Sequence, residues 1–324
     1  MKRLYFATAI VLAVTPFVGG TAQAQSYPDR PVKLIAPASA GGATDLVARI
    51  AADYLSKKMG QRFYVENRTG AGGNIGTAEV AKASPDGYTL GIVASGNVVI
   101  NPYLYKNMSF DAKTDLVPVA PIVEAPQVIA ISAKVPAKTL KQFIALAKAK
   151  PNTINYATAG VGSTMHLAGV EFSQLAGVKL IHVPYRGAAP AVKDIVAGVD
   201  QMIPVSATAI MSFVQAGKIR VLATATKHRL KWFPNVPTAA EAGLPGYEMT
   251  TWFAIVAPRG TPDAIVQKLN VMVRNMLKDP TSLKRLEASY LVPMPMTQKK
   301  FTAFVASEFP KWKKVVAESG LKPH

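Results

Sequence analysis

The sequence predicts a mixed α/β protein made of two similar lobes, each built on a parallel sheet. Short apolar runs of strand length alternate with segments whose apolar residues recur at helical spacing, a pattern typical of parallel sheets with right-handed crossovers. One unit, a buried strand followed by a small-residue loop and an amphipathic helix, occurs at Val32–Leu55 and again at Ile154–Leu175. Both parts share the order strand, glycine loop, helix, strand, helix, strand, although the sequence itself is not repeated.

The first of these units predicts an anion site. Val32–Ala36 is an apolar strand, Pro37 ends it, and small residues fill Ala38–Gly42. Thr44 and Asp45 are candidate caps for the helix that follows. Because the first turn of a helix has unpaired N–H groups and the positive end of the helix dipole, such a loop binds anions. We expect it to hold one carboxylate of a small ligand.

Ligands of open α/β sheets bind beyond the carboxyl ends of the strands. Four loops are expected there: Pro37–Asp45, Ser95–Asn97, Ala159–His166 and Pro204–Thr208. Two lobes bring two such loops face to face, so a dicarboxylate is gripped at both ends without an arginine. The candidate ligand-binding residues are Ser39, Ala40, Gly41, Gly42, Thr44, Asp45, Ser95, Asn97, Gly162, Ser163, Thr164, His166 and Pro204. The alternative, that small residues there only permit tight strand–helix packing, stays open.

The histidines and serines give little support for catalysis. His166 lies in the helix after Ser163, where it either donates to a bound anion or bonds to a loop carbonyl. His182, in an apolar strand, is expected to be a satisfied core residue. An exported hydrolase using Ser163 and His166 is the enzyme alternative, but the G-x-S-x-G nucleophile elbow is missing from the sequence. We therefore expect a binding protein and not an enzyme.

Composition excludes several other functions. The chain has no cysteine, so it has neither disulfides nor a thiolate nucleophile. The formal charge of +18 comes from scattered basic residues, which favours attraction of small anions over nucleic-acid binding. The four histidines lack metal-ligand spacing, and Gly70–Gly76 departs from G-x-G-x-x-G. We expect no metal, cofactor or nucleic acid.

The N-terminus predicts export. Lys2 and Arg3 precede the apolar run Leu4–Val18, and Ala22-Gln23-Ala24 fits the A-x-A cleavage rule. The run is short for a membrane span, so cleavage after Ala24 is preferred to an uncleaved anchor. Residues 1–24 are therefore assigned to a signal peptide.

The lobe limits follow from the apolar segments. Val117–Ser132 is a long apolar stretch that suits a strand leaving one lobe for the other. Two amphipathic helices near the C-terminus need a sheet to cover, which returns them to the first lobe. Residues 25–124 and 227–324 are assigned to lobe 1, which is discontinuous, and residues 125–226 to lobe 2.

Several motifs in one order give the chain a family resemblance. They include YPDRPVKLIAP, GGATD, VENRTGAGGNIGTAEVAKASPDGYTL, INPYLY, YATAGVGSTMHLAG, HVPYRGAAPAVKDIVAG and WFAIVAPRGTP. From about Tyr27 to Leu321 the chain resembles the Bug-type extracytoplasmic solute receptors of the tripartite tricarboxylate transporter family. The resemblance implies a two-lobed, Venus-flytrap periplasmic binding protein of type II-like fold. It further implies a carboxylate held by Ser39–Asp45 and Gly162–His166, delivery to integral membrane transporter subunits, and action as a monomer.

Two departures from the family pattern bear on the ligand. The family often has an aromatic residue where this chain has Ala38, and an acidic residue and asparagine where Pro204 and Val205 stand. Because an acid there suits an amino group, its loss argues against an amino-acid ligand. A bulkier or aromatic carboxylate joins the di- and tricarboxylates as a candidate. A ligand-sensing input protein for a signalling partner remains the alternative function.

Overall fold

A computed structural model describes residues 27–185 and 187–323 of the 324-residue chain. The predicted signal peptide and its cleavage after Ala24 lie outside the described residues. Within those residues, none of the helices has both the length and the apolar character needed to cross a bilayer.

The strands and helices alternate as the sequence predicts. The strands are β1 (Val32–Ala36), β2 (Phe63–Asn67), β3 (Thr89–Ala94), β4 (Leu116–Ser132), β5 (Asn155–Thr158), β6 (Ile181–Pro184), β7 (Met202–Ser206), β8 (Ile219–Thr224), β9 (Thr250–Pro258) and β10 (Val292–Pro293). The α-helices are α1 (Ala43–Met59), α2 (Asn74–Ala81), α3 (Asn101–Leu104), α4 (Leu140–Ala149), α5 (Thr164–Ala176), α6 (Ala188–Ala197), α7 (Ala207–Gln215), α8 (Asp263–Met276), α9 (Pro280–Ala288) and α10 (Gln298–Glu318).

The first-lobe sheet is parallel at its centre and closed by a returning strand. Its order is β2–β1–β3, with β9 antiparallel to β3. β1 is buried on both faces, as central parallel strands are. Leu34 belongs to the same buried cluster as Val47 and Ile50 of α1, whereas Ile35 belongs to the cluster on the other face. The loops after β1, β2 and β3 consequently leave the same edge of the sheet.

The second-lobe sheet repeats this arrangement. β6, β5 and β7 are parallel, and β4 and β8 complete the sheet in antiparallel pairing. The loop after β5 leads into α5 in the same way as the loop after β1 leads into α1. The predicted strand–loop–helix unit is therefore present in both lobes.

One strand belongs to both sheets. The first half of β4, to Pro126, pairs with β9, and the second half, from Gln127, pairs with β7 and β8. At the crossing, the Gln127 N–H donates to Met249 O (3.1 Å), Ala225 N–H to Gln127 O (2.9 Å), and Met249 N–H to Ala225 O (2.9 Å). We call this ring of backbone bonds between the lobes the hinge. The course of β4 through both sheets confirms the sequence prediction of a strand that passes between the lobes.

The C-terminal helices pack on the shared strand. Both α8 and α10 contact β4, and the Asn270 side-chain amide donates to Val119 O (2.9 Å). The end of α10 also reaches the second lobe, where the Gln174 amide donates to Glu318 O (2.8 Å). Leu230 and Phe233, in the segment between β8 and β9, lie in the apolar cluster of the second lobe. The lobe limits assigned from sequence stay a prediction.

The loop–helix packing around β5 leaves no room for a side chain at Gly169. This residue lies in α5, and a Cβ built on it would be 2.1 Å from Tyr156 Cε2. Tyr156 is 4 % exposed and is held in a ring stack with His182, so it cannot move aside without disturbing β5.

We expect Gly169→Ala to lower the free energy of unfolding by about 1–3 kcal/mol, because overpacking outweighs the better helix propensity of alanine. Gly96→Ala is the matched control, since Gly96 is also helical and a Cβ there meets nothing within 4 Å. Urea denaturation measures both. Equal stability of the two variants would contradict the packing argument.

Candidate functional site

A cavity lies between the lobes at the carboxyl ends of their strands. Its volume is about 350 Å³. The lining residues are Gly72, Ala94, Gly96, Asn97, Ile100, Asn101, Leu104, Tyr105, Val161, Gly162, Ser163, Thr164 and Thr251. A charged side chain is not found among them. Any anion held here is therefore bound by backbone and neutral polar groups.

The second-lobe wall is the start of α5. Ser163 is its N-cap, with the hydroxyl accepting from His166 N–H (3.2 Å) and donating to Gly160 O (2.7 Å). The N–H groups of Thr164 and Met165 have no acceptor within the helix, because the first turn never does. These amides and the helix dipole make the predicted anion site of the second lobe.

The ring of His166 is hydrogen-bonded to this loop. Its Nδ1 accepts from the Gly162 N–H at 3.1 Å, so Nδ1 is unprotonated and the ring proton sits on Nε2. The described hydrogen bond of the ring is with a loop N–H and not with a loop carbonyl, so the second of the two interpretations is wrong. Donation from Nε2–H to a bound anion stays a prediction. Burial lowers the pKa of His166, which keeps the ring neutral.

The imidazoles of His166 and His182 stack on each other. Their centroids are 3.8 Å apart with an interplanar angle of 8°, and His182 also stacks on Tyr156 at 5.0 Å. Burial, and then the neighbouring His166, lower the pKa of His182 to about 4. His182 Nε2 and Thr158 Oγ1 are hydrogen-bonded at 2.7 Å, which confirms the expectation of a satisfied histidine. The two stacked rings are therefore uncharged, and His166 holds the loop that precedes α5.

The geometry does not suit a serine nucleophile. The Ser163 hydroxyl proton is committed to Gly160 O, and the basic Nδ1 of His166 faces Gly162 N instead of Ser163 Oγ. A nucleophile and its base need a direct hydrogen bond. Groups of three potential metal ligands are also not found in the described parts of the chain.

The first-lobe wall is held by asparagines. Asn97 Nδ2 donates to Gly72 O (2.8 Å), while its Oδ1 accepts from Ala94 N–H (3.0 Å). Asn101 Nδ2 donates to Asn74 Oδ1 (2.7 Å) and to Gly72 O (3.1 Å). The glycine-rich segment after β2 is thus a turn at the rim of the cavity.

Gly73 brings three loops together. A Cβ built there would be 2.2 Å from Asn97 Nδ2 and 2.9 Å from Pro37 O. Its φ of +91° is also one that other residues rarely adopt. The loop after β1 therefore adjoins the loops that line the cavity.

The predicted residues of the first loop lie at the rim and not in the cavity lining. Ser39, Ala40, Gly41 and Gly42 are exposed, whereas Thr44 and Asp45 are buried. The expectation that Thr44 or Asp45 caps α1 is wrong, because the N-cap is Gly42 and it makes no side-chain bond.

The Asp45 side chain instead stabilises the loop between β1 and α1. Its carboxylate accepts from Gly41 N–H (2.9 Å), Arg49 Nε (3.0 Å) and Asn67 Nδ2 (3.1 Å). The Arg49 bond, partly opposed by burial, lowers the pKa of Asp45. A carboxylate that is already ionised and fully bonded would repel an anion at contact, so the part of Asp45 that the structure shows is to hold the shape of the loop.

Two further predicted residues lie off the cavity lining. Ser95 is fully buried at the end of β3, and its hydroxyl has no partner among the described residues. Pro204 is buried within β7, where it pairs with Ile129 of β4. The structure brings together Asn97, Gly162, Ser163 and Thr164, with His166 beneath them.

Sequence reasoning missed part of the site. Gly72, Asn101, Leu104, Tyr105 and Thr251 also line the cavity. The segment Gly96–Leu104 is helical, first as a π-helical turn and then as α3, where the sequence suggested only a polar loop after β3. The motif INPYLY lies in this segment, but helices this short have too few turns for an apolar periodicity to be detected in the sequence.

Comparison with known proteins identifies the family. Residues 47–321 match the family model of the tripartite tricarboxylate transporter family receptor. The chain belongs to this family. Its receptors are periplasmic solute-binding proteins, and the two-lobed fold predicted from the sequence is theirs.

Individual relatives agree along the whole chain. The receptor is 34 % identical to the protein BugT of Bordetella pertussis, over 99 % of each chain. It is similar to the structure described as R. palustris Rpa4515 with adipate, with a TM-score of 0.82, 35 % identity, and coverage of 92 % of this chain and 100 % of that one. It is also similar to MatC from Rhodopseudomonas palustris with bound malate, with a TM-score of 0.77, 32 % identity, and coverage of 90 % and 100 %.

We expect the receptor to lose stability as the pH falls below about 6.5, because the folded-state pKa of His182 lies below its unfolded value. Its contribution is complete above the unfolded pKa and is lost as the pH falls towards about 4. After allowance for partial exposure, the loss is about 1–2 kcal/mol. His182→Gln flattens the decline of melting temperature between pH 7 and pH 4, and substitution of the exposed His228 by Gln does not. If the melting temperatures of the wild-type protein and both variants declined in parallel with falling pH, this role of His182 would be refuted.

Proposed function

We propose that this receptor captures a small dicarboxylate between its lobes and delivers it to the membrane subunits of a tripartite transporter. The observation that carries the proposal is the uncharged cavity, which has the start of α5 on one wall and the start of the Gly96–Leu104 helical segment on the other. Each helix start offers amides to one carboxylate. The relatives with adipate and malate support a ligand of this class.

The ligand is a small acid without an amino group. A volume of about 350 Å³ lies at the lower end of the range for ligand pockets. The cavity lining contains no acidic side chain to meet an ammonium group. An amino acid would therefore bury a charge without a partner, at a cost of several kcal/mol.

Binding and closure are linked. Because the ligand contacts both lobes only when they approach each other, it favours the closed form by its extra contacts there. Capture without conversion follows from the same site, since Ser163 and His166 are both committed to holding the loop. The receptor thus returns its ligand unaltered to the transporter.

Calorimetric titration distinguishes the ligand classes. We expect adipate or malate to bind, and aspartate to bind at least about tenfold more weakly than malate for want of a partner for its ammonium group. A terephthalate titration tests the aromatic alternative. Tight binding of aspartate alone would rule out the proposal, and so would hydrolysis of a dicarboxylate ester by the purified protein.

The glycines that flank α5 and α1 test the two loops separately. Gly162 (φ +77°) and Gly41 (φ +82°) precede these helices, and Gly177 (φ +62°) and Gly60 (φ +73°) follow them. All four are strained by substitution, so the comparison isolates position from strain.

We expect Gly162→Val to abolish dicarboxylate binding, because a reshaped loop misplaces the amides at the start of α5. Gly41→Val should weaken binding, because the loop after β1 adjoins the loops that line the cavity. Gly177→Val and Gly60→Val should lower the stability of the protein without changing its dicarboxylate affinity. Calorimetry on folded fractions, verified by circular dichroism, measures this. If Gly41→Val kept full affinity, the loop after β1 would not be part of the site.

A further inference from the structure

A second and larger cavity lies at the hinge, on the other side of the crossing strands. Its volume is about 1000 Å³. Consecutive residues of a strand point to opposite faces, and at the start of β9 Thr251 lines the interlobe cavity while Thr250 lines this one. We call it the hinge cavity.

The walls of the hinge cavity come from both sides of the hinge. One wall is the segment from Ala225 to Trp232, whose Leu230 is packed in the second-lobe cluster. The other is formed by β10 and α10, which pack on the first-lobe part of β4. A rotation that narrows the interlobe cavity must change the separation of these two walls.

The cationic side chains around the hinge cavity already have partners. The described contacts pair Lys227 with Glu248 (3.9 Å), Arg229 with Glu241 (2.9 Å), Lys231 with Glu287 (2.5 Å), and Lys311 with Glu248 O (3.1 Å). These groups therefore offer little to a bound anion, in spite of the positive charge of the whole chain.

Glu124 is different. It lies on β4 three residues before Gln127, is half-buried, and forms no salt bridge in the described parts of the chain. The Thr250 hydroxyl is its hydrogen-bond partner. Burial raises the pKa of Glu124, which is the expected sign for a carboxylate without a compensating cation.

Beside the charged side chains, the lining of the hinge cavity also has an apolar part. It is formed by Leu230, Trp232, Leu291, Val292, Pro293, Met294, Met296 and Phe304. Methionine and aromatic side chains suit a flat apolar body, and the faces of aromatic rings attract cations. An occupant that pairs with Glu124 and covers the apolar part of the lining needs one positive charge and an apolar body.

We propose that the hinge cavity binds a small organic monocation, a primary ammonium group on an apolar or aromatic body, with the ammonium on Glu124. This goes beyond dicarboxylate capture, since it assigns a second ligand class to a separate site. Because its walls lie on both sides of the hinge, the occupant shifts the balance between open and closed lobes. Coupling of this kind is reciprocal: the cation changes dicarboxylate affinity, and the dicarboxylate changes cation affinity by the same factor.

Phenethylamine is the probe, and 2-phenylethanol is the neutral control of matched shape. Titration followed by calorimetry should show phenethylamine binding at least about tenfold tighter than 2-phenylethanol, which is the usual effect of a charge-assisted hydrogen bond. Glu124→Gln keeps a hydrogen-bond acceptor for Thr250 and should reduce phenethylamine affinity to that of the alcohol.

Glu308→Gln is the matched control. Glu308 also lines the cavity, but its carboxylate already accepts from Trp312 Nε1 (3.0 Å), a bond that glutamine retains. We expect unchanged phenethylamine binding in this variant. No binding of phenethylamine, or equal binding to the wild-type protein and Glu124→Gln, would overturn the proposal whatever the dicarboxylate result.

A second titration tests the coupling. With phenethylamine saturating, adipate affinity should change by about threefold or more in the wild-type protein, within the usual range of coupling between sites. The change should vanish in Glu124→Gln, which by itself still binds adipate normally. An unchanged adipate affinity in the wild-type protein would overturn the coupling to the hinge.

Discussion

The continuous strand β4 is the constraint on which the architecture depends. Its N–H and C=O groups must be paired along its whole length, and it passes from one sheet to the other without a break. At the crossing, the Gln127 N–H donates to Met249 O and the Gln127 carbonyl accepts from Ala225 N–H. The lobes are thereby joined through backbone hydrogen bonds, which fixes their carboxyl edges opposite each other and creates the cleft between them.

Recognition in that cleft depends on the backbone more than on charged side chains. The lining groups are amides, hydroxyls and helix starts, and each loop is braced by its own hydrogen bonds. His166 and Asp45 play equivalent parts: a neutral imidazole holds Gly162 N–H in the second lobe, and a carboxylate holds Gly41 N–H in the first. Preorganised amides need not be reordered when the ligand arrives, so less of the binding free energy is spent on ordering.

The hinge has a cavity on each face, and their linings differ. The interlobe cavity lacks charged side chains, whereas the hinge cavity contains a half-buried carboxylate, Glu124, beside apolar side chains. Thr250 and Thr251, adjacent on β9, belong one to each cavity. The same strand therefore separates the proposed dicarboxylate site from a cavity that contains a carboxylate without a salt bridge among the described residues.

The sequence by itself determined the repeated strand–loop–helix units and the shared strand near Val117–Ser132, while anion binding by the loops before α1 and α5 stays a prediction. These features are local: apolar periodicity and small residues after a strand specify them within one segment. The family followed from the order of its motifs.

Only the tertiary structure decided how those segments meet. The N-cap of α1 is Gly42 because Asp45 bonds with Arg49 and Asn67, residues that sequence spacing does not place around it. The stack of His166 on His182 joins a helix to a neighbouring strand, and the cavity needs Leu104 and Thr251 from distant segments. Such contacts depend on burial and pairing between segments far apart in the chain, which composition and periodicity do not encode.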